Sequence, residues 1–260
     1  MSVINVAVAG CLGKMGATVC ETVIAAADMK LCGLADAKAA AQPEAYGLSV
    51  SAAVSRENFG GAVDVMVEFT HPSCVYNNVM RALEENISCV VGTTGLSEAQ
   101  RGDIEKLTLK NNLFTIIAPN FAIGAVLMMK FSEAASKYMG RAEIIEMHHD
   151  QKVDAPSGTA LLTAKMMAPN CSRNEVAGEK IIVQGARGAA LESVNIHSVR
   201  LPGFLAHQQV IFGGPGQVLT LRHDSMSRDS FMPGVALAIR ESQKRKGFYF
   251  GLETVMDFVF

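Results

Sequence analysis

An α/β fold in two domains follows from three features of the chain. Short apolar, β-branched runs alternate with helix-like segments over the first half. A glycine-rich turn, GCLGKMG, follows the first of those runs directly. After about residue 120 period-two alternation takes over, the mark of strands with one buried face. Together they predict a Rossmann-like parallel-sheet nucleotide domain plus a smaller α+β domain with an open mixed sheet.

The elements justify this in order. VINVAVA (3–9) reads as a buried strand ending at Gly10, and Met15 to Ala26 as a helix with Met15, Val19, Val23 and Ala26 near one face. KLCGLA (30–35) is a second strand closed by Asp36; VDVMVEF (63–69) is a third, with a helix after Pro72. ISCVVG (87–92) and LFTIIA (113–118) continue the series, with a polar helix near 97–110 between them. An apolar helix at about 124–139 leads into alternation at 141–147. A loop-rich stretch (169–190) precedes strand-like runs at 192–201, 208–214 and 217–225, expected to be antiparallel with a hairpin at GGPG (213–216). Residues 229–244 read as helix. The expected boundaries are 1–122 with 229–260 for a dinucleotide-binding domain, and 123–228 for a substrate-binding and oligomerisation domain.

Composition excludes several classes of function. Of 260 residues, 49% are hydrophobic and 18% charged, which supplies a core and argues against disorder. The formal net charge of −2 gives no basic field, so no nucleic acid is expected as a partner. No apolar run reaches the ~18 residues of a membrane span; the longest, around 115–129, is broken by Pro119, Asn120 and Gly124. The start, MSVINVAVAG, lacks the basic residues and cleavage site of a secretory leader. The six cysteines form no CxxC pair, and reduced, mostly buried thiols are expected. The reading is a soluble, cytoplasmic protein with no membrane partner.

The glycine turn carries the first chemical signal. Its spacing is G-x-x-G-x-x-G, a weak motif alone, but a turn between a strand and a helix gives a pyrophosphate close approach to backbone N–H groups. Asp36 stands twenty residues beyond Gly16, where a carboxylate accepts hydrogen bonds from adenosine ribose hydroxyls and repels a 2′-phosphate. NADH is therefore preferred, with NADPH also usable because Lys38 lies two residues on. FTHP (69–72), GTTG (92–95) and APNF (118–121) all fall at strand ends, where open α/β sheets bind ligands.

The second signal is EMHHDQKVDAPSGTA (146–160). His148, His149 and Lys152 offer proton donors and a cation. Ser157, Gly158 and Thr159 open a helix-like run, and Gly158 and Thr159 offer N–H groups and a hydroxyl to a carboxylate. Acid groups beside an anion cradle suit hydride reduction of a small carboxylate-bearing substrate. No metal site is read here, because adjacent histidines do not readily share one tetrahedral ion. Ser157 lacks the G-x-S-x-G setting of a nucleophile.

GCLGKMG, FTHP, GTTG, APNFAIG, EMHHDQKVDAPSGTA and HSVRLPG, taken in order, resemble the 4-hydroxy-tetrahydrodipicolinate reductase (dihydrodipicolinate reductase) family over nearly the whole chain. The resemblance implies NADH- or NADPH-dependent reduction of that small dicarboxylate to tetrahydrodipicolinate and water, in diaminopimelate and lysine biosynthesis. It makes His148 the principal acid/base group and Lys152 a proton donor, with His149, Ser157, Gly158 and Thr159 on the substrate. It places the nucleotide on Gly10, Cys11, Leu12, Gly13, Lys14 and Met15, on Asp36, on Gly92, Thr93 and Thr94, and on Ala118, Pro119, Asn120 and Phe121. It also implies a homotetramer joined through the second domain's sheet. His71 and Ala37 stand where some members carry arginine, and the second change further favours NADH. Two other readings stay open from the residues alone: another small-carboxylate dehydrogenase, and a non-catalytic dinucleotide sensor.

Overall fold

A computed structural model describes residues 3–173 and 177–258 of the chain. Contacts divide the protein into two compact units, Met1–Phe121 with Phe231–Phe260, and Ala122–Ser230.

The first unit begins with β1 (Ile4–Ala9), α1 (Lys14–Ala25) and β2 (Met29–Ala35), followed by a short pair, β3 (Glu44–Ala45) and β4 (Leu48–Ser51). It continues through β5 (Val65–Glu68), α2 (Val75–Glu84), β6 (Ser88–Val91), α3 (Glu98–Lys110) and β7 (Phe114–Ile117). Strands β5, β6 and β7 are buried at every position, as expected where helices cover both faces of a parallel sheet. Ser97 caps α3 by accepting from the Gln100 N–H, while the Gln100 side chain accepts from the Ser97 N–H.

The second unit holds α4 (Ile123–Ser136), β8 (Ala142–His148), α5 (Gly158–Met167), β9 (Ala189–Leu191), β10 (Val194–Arg200), β11 (Ala206–Gly214) and β12 (Gln217–Ser225). Its sheet runs β12-β11-β8-β10-β9, so β8 is central. Ala142 and Ile144 of β8 pack with Ala160, Ala164 and Met167 of α5. This places α5 over the face of β8 that also carries Glu146 and His148, two and four residues further along. β11 and β12 form the expected antiparallel hairpin, and the sheet is mixed as expected: β10 pairs with β8 in parallel, Ser198 opposite Glu146 and Arg200 opposite His148, while β11 is antiparallel to both β8 and β12. Side-chain alternation has period two in either direction, so it does not report strand polarity. Residues 174–176 of the predicted loop-rich stretch lie outside the described residues.

The chain returns to the first unit with α6 (Met232–Glu241) and β13 (Gly247–Phe250). The helix expected over 229–244 is shorter, with a 3-10 turn at Arg228–Phe231 ahead of it. Pro233 sits in the first turn, where its missing N–H costs nothing. β13 adds in parallel to β7 and completes the order β13-β7-β6-β5-β1-β2-β4-β3. The strand order reverses between β1 and β5, and the ends of those two strands are where such sheets bind ligands.

Candidate active site

In the first unit a cavity of about 440 Å³ opens at that reversal, lined by Gly10 and Gly13 after β1, Asp36 and Lys38 after β2, and Thr70, His71 and Asn78 after β5. Gly10 has φ +86°, and a Cβ there would stand 2.1 Å from the Phe69 carbonyl oxygen. A Cβ on Gly16 would meet the Gly10 carbonyl at 2.0 Å. Both glycines are therefore required for the turn to close against β5 and the helix to close against the turn. Gly13 is the N-cap of α1 and supplies no side-chain cap, which leaves the first-turn amides to a ligand or water. The Asp36 carboxylate accepts from the Leu12 N–H at 3.0 Å and the Lys38 N–H at 2.9 Å, fixing it at the rim of the glycine turn. These features fit a dinucleotide: a close-approach backbone, an open helix N-terminus and a carboxylate positioned for a ribose.

The other strand-end residues divide between surface and interior. Thr93, Thr94 and Pro119 line a second, smaller cavity of about 80 Å³ with Arg101 and Phe250. A Cβ on Gly92 would collide with the Phe69 ring at 2.0 Å, so that glycine serves ring packing. Cys11, Ala118 and Phe121 are buried, and the Phe121 ring packs tilted against that of Phe69, 5.8 Å between centroids. Any contact they make with a ligand would come from their backbone. Burial also pushes the Cys11 thiol up to about 11 and the Cys20 thiol up to about 12, which leaves neither as a thiolate nucleophile near neutral pH. Cys11, Cys20 and Cys89 are fully buried, the other three cysteines are half-buried, and all six are free.

In the second unit the chemistry gathers at the C-terminal end of β8. Glu146 is fully buried. Arg200, at the matching end of β10, grips it with two guanidinium N–H donors at 2.8 and 3.0 Å. The Ser157 N–H donates to it at 3.3 Å, and His148 Nδ1 lies 2.5 Å from its other oxygen. Burial alone would raise the Glu146 pKa; the hydrogen bonds from His148 and Arg200 outweigh it and hold the carboxyl at about 2. An ionised carboxylate only accepts, so His148 carries its hydrogen on Nδ1 and its Nε2 is the atom left for chemistry.

Lys152 and α5 complete this cluster. Lys152 turns back through its N–H to the His149 carbonyl, and its ammonium pairs with Asp154 at 2.7 Å. Arg200 donates to the Asp154 carbonyl at 2.7 Å, tying the loop to the buried carboxylate. Ser157 caps α5 by accepting from the Ala160 N–H at 3.2 Å, a bond that uses its hydroxyl oxygen as acceptor and not its O–H. Gly158 is exposed, and a Cβ there would meet nothing within 4 Å. Among the described residues no cluster of His, Cys, Asp and Glu could hold a metal ion.

Comparison with known proteins decides the family. The profile described as "Dihydrodipicolinate reductase, N-terminus" matches residues 4–121, and that described as "Dihydrodipicolinate reductase, C-terminus" matches residues 124–256. The chain belongs to the dihydrodipicolinate reductase family. A relative from Syntrophomonas wolfei named 4-hydroxy-tetrahydrodipicolinate reductase is 46% identical, covering 97% of this chain and 98% of its own. One of the same name from Lysinibacillus sphaericus is 43% identical, covering 97% and 99%. A solved structure, dipicolinate-bound dihydrodipicolinate reductase from Paenisporosarcina sp. TG-14, superposes with TM-score 0.87 at 42% identity over 98% of this chain and all of that one.

Against this dihydrodipicolinate reductase background, sequence reasoning missed Glu146 and Arg200. Glu146 had a readable signal, since period two puts it on the His148 face. Arg200 lay within the quoted HSVRLPG, but its place opposite His148 depends on a strand pairing across about fifty residues, which no local pattern reports.

Proposed function

We propose that this protein reduces 4-hydroxy-tetrahydrodipicolinate to tetrahydrodipicolinate and water with a reduced nicotinamide dinucleotide, in diaminopimelate and lysine biosynthesis. The observation that carries the chemistry is the His148 imidazole, fixed by the buried, ionised Glu146 beside the N-terminus of α5. Residues 1–122 with 229–260 serve the dinucleotide, and 123–228 serve the substrate and oligomerisation. When bound, the dinucleotide supplies a hydride.

The chain's own residues do the rest. Loss of water, the substrate hydroxyl with a proton from the adjacent ring carbon, leaves a conjugated imine that accepts hydride at the ring carbon that bore the hydroxyl, and the product then needs one proton. His148 delivers it from Nε2 when it acts as the imidazolium, which leaves the neutral ring with its hydrogen on Nδ1 toward Glu146 to be reprotonated from solvent; Lys152 is the second donor once its ammonium turns from Asp154 toward the ring. His149, Gly158 and Thr159 hold the two carboxylates, through the cation nearby and the first-turn amides of α5. Ser157 acts by capping that helix. The alternative of a thiol-dependent semialdehyde dehydrogenase is disfavoured by the raised thiols of Cys11 and Cys20. A dinucleotide sensor would have no use for an imidazole locked in one tautomer.

Asp36 supports NADH over NADPH, since its fixed carboxylate would stand against a 2′-phosphate, while Lys38 leaves NADPH usable. A homotetramer joined through the second sheet is supported by β12, a nine-residue edge strand with Val218 71% and Leu219 37% exposed, the kind of edge proteins cover. A cytoplasmic location is consistent with the absence, among the described residues, of any helix long and apolar enough to cross a membrane. The test is to supply enzymatically generated 4-hydroxy-tetrahydrodipicolinate with NADH or NADPH and identify the product by mass spectrometry. Tetrahydrodipicolinate formed at the expense of the dinucleotide, with NADH the more efficient, is expected. An unchanged substrate from a folded protein that binds NADH would overturn the reading.

A further inference from the structure

Three glutamates are buried among the described residues, and they differ in what they face. Glu146 has Arg200 and His148; Glu241 has Lys244 and Arg245, each at 2.7 Å. Glu68, fully buried at the end of β5, has no cation. Its partners are neutral: the Thr70 hydroxyl donates to Oε1, the Asn78 amide reaches the same oxygen at 3.4 Å, and Oε2 has no partner. Next to it on β6 the buried Cys89 thiol is pushed up by burial and, secondarily, by Glu68. Burial raises the Glu68 pKa against the lowering effect of hydrogen bonds from Thr70, Thr93 and Asn78. Burial with no cation beside it favours the neutral form of this carboxyl, because an unpaired buried charge costs far more than a neutral acid.

An acid kept this way costs stability, so what it holds is informative. Thr70 and Asn78 line the 440 Å³ cavity. The Thr70 N–H donates to Thr93 Oγ1 at 2.8 Å, joining the turn after β5 to the GTTG turn after β6. The Asn78 amide also reaches Thr70 Oγ1 at 3.4 Å, and the Gly92 N–H closes on the Glu68 carbonyl at 2.9 Å. An apolar side chain at position 68 would leave Thr70 and Asn78 without their inward acceptor and free to rotate into the cavity. We infer that Glu68 is a positioning residue for the dinucleotide: from beneath the cavity it orients Thr70, Asn78 and Thr93, and so sets the two strand-end turns that receive the cofactor. This rests on the dinucleotide reading of that cavity.

The test uses the full-length protein and the emission of NADH itself, which the absence of tryptophan leaves uncrowded. Glu68→Gln is close in shape and keeps an acceptor facing Thr70 and Asn78, and should bind NADH within about threefold of the parent. Glu68→Leu removes the acceptor and Glu68→Asp withdraws it by one methylene; each should weaken NADH about tenfold and raise its KM more than it lowers kcat. The aspartate variant carries the test if the leucine variant does not fold. Unchanged NADH affinity in a folded Leu or Asp variant, even with a lower Tm, would make Glu68 purely structural and overturn the inference. A Gln variant as weak as the Leu variant would overturn it too, because the neutral acceptor would then not suffice. A parent protein that binds neither NADH nor NADPH would overturn this inference together with the cavity reading.

Discussion

Replacing Glu146 by glutamine removes one charge from the centre of the second unit without changing its shape. In the folded protein the Glu146 carboxyl is held at about 2, against an ordinary value of 4.5. The fold therefore favours the ionised form, and that preference is worth about 3 kcal/mol at neutral pH. Because the folded value is the lower one, the contribution is complete above about pH 4.5 and is lost as pH falls toward about 2. Roughly half of it is gone by pH 3. Glu146→Gln also leaves the Arg200 guanidinium facing a neutral amide, the kind of change that costs about 3–5 kcal/mol in a buried pair. Urea unfolding of parent and variant from pH 7 to pH 3 measures this directly. The variant should be less stable by about 3 kcal/mol at pH 7, and the gap should narrow by about half at pH 3. Its kcat should fall about a hundredfold, because the amide no longer fixes the His148 tautomer. A stability gap that stays constant across the pH range would show that the Glu146 charge does not stabilise the fold, and full turnover in the variant would show that it does not fix His148.

Three further outcomes follow from the same geometry. His148→Gln should lower kcat by about 10²–10⁴-fold while NADH titrations remain those of the parent, since the imidazole lies in the second unit. Gly158→Ala has open space for its methyl, so Tm should hold within about 2 °C while substrate KM rises about tenfold, because the methyl stands before the first-turn amides. Asp36→Asn keeps hydrogen-bonding atoms but removes the charge, and should raise the ratio of NADPH to NADH catalytic efficiency about tenfold. An unchanged ratio would show that Asp36 does not set the preference.

How much of this could be read from the chain depends on how local each signal is. The strands β1, β2, β5, β6 and β7 are apolar runs closed by Gly, Asp or Pro, and burial on both faces makes such runs visible. β3, β4 and β9 are two to four residues long and lie toward sheet edges, too short for a period to register. β13, GFYF, is aromatic enough to read as a strand, but its pairing with Phe114–Ile117 joins segments more than a hundred residues apart. The same distance effect governs the site. His148, His149 and Lys152 declare themselves because they are adjacent in sequence, and Ser157 declares itself as a cap. Arg200 does not, because only the β8–β10 pairing brings it opposite His148. Glu68 is the extreme case: a single acid ending VMVE looks like the solvated end of a strand, and only its complete burial shows otherwise.

A proton supplied by His148, held by Glu146, would complete hydride reduction of 4-hydroxy-tetrahydrodipicolinate. Substrate-dependent oxidation of NADH, followed by absorbance for the parent protein and for His148→Gln at equal NADH saturation, tests it most directly. Rapid oxidation by the parent and a loss of about 10²–10⁴-fold in the variant are expected. Equal rates in the two proteins would contradict it, as would a parent that binds NADH and leaves the substrate untouched.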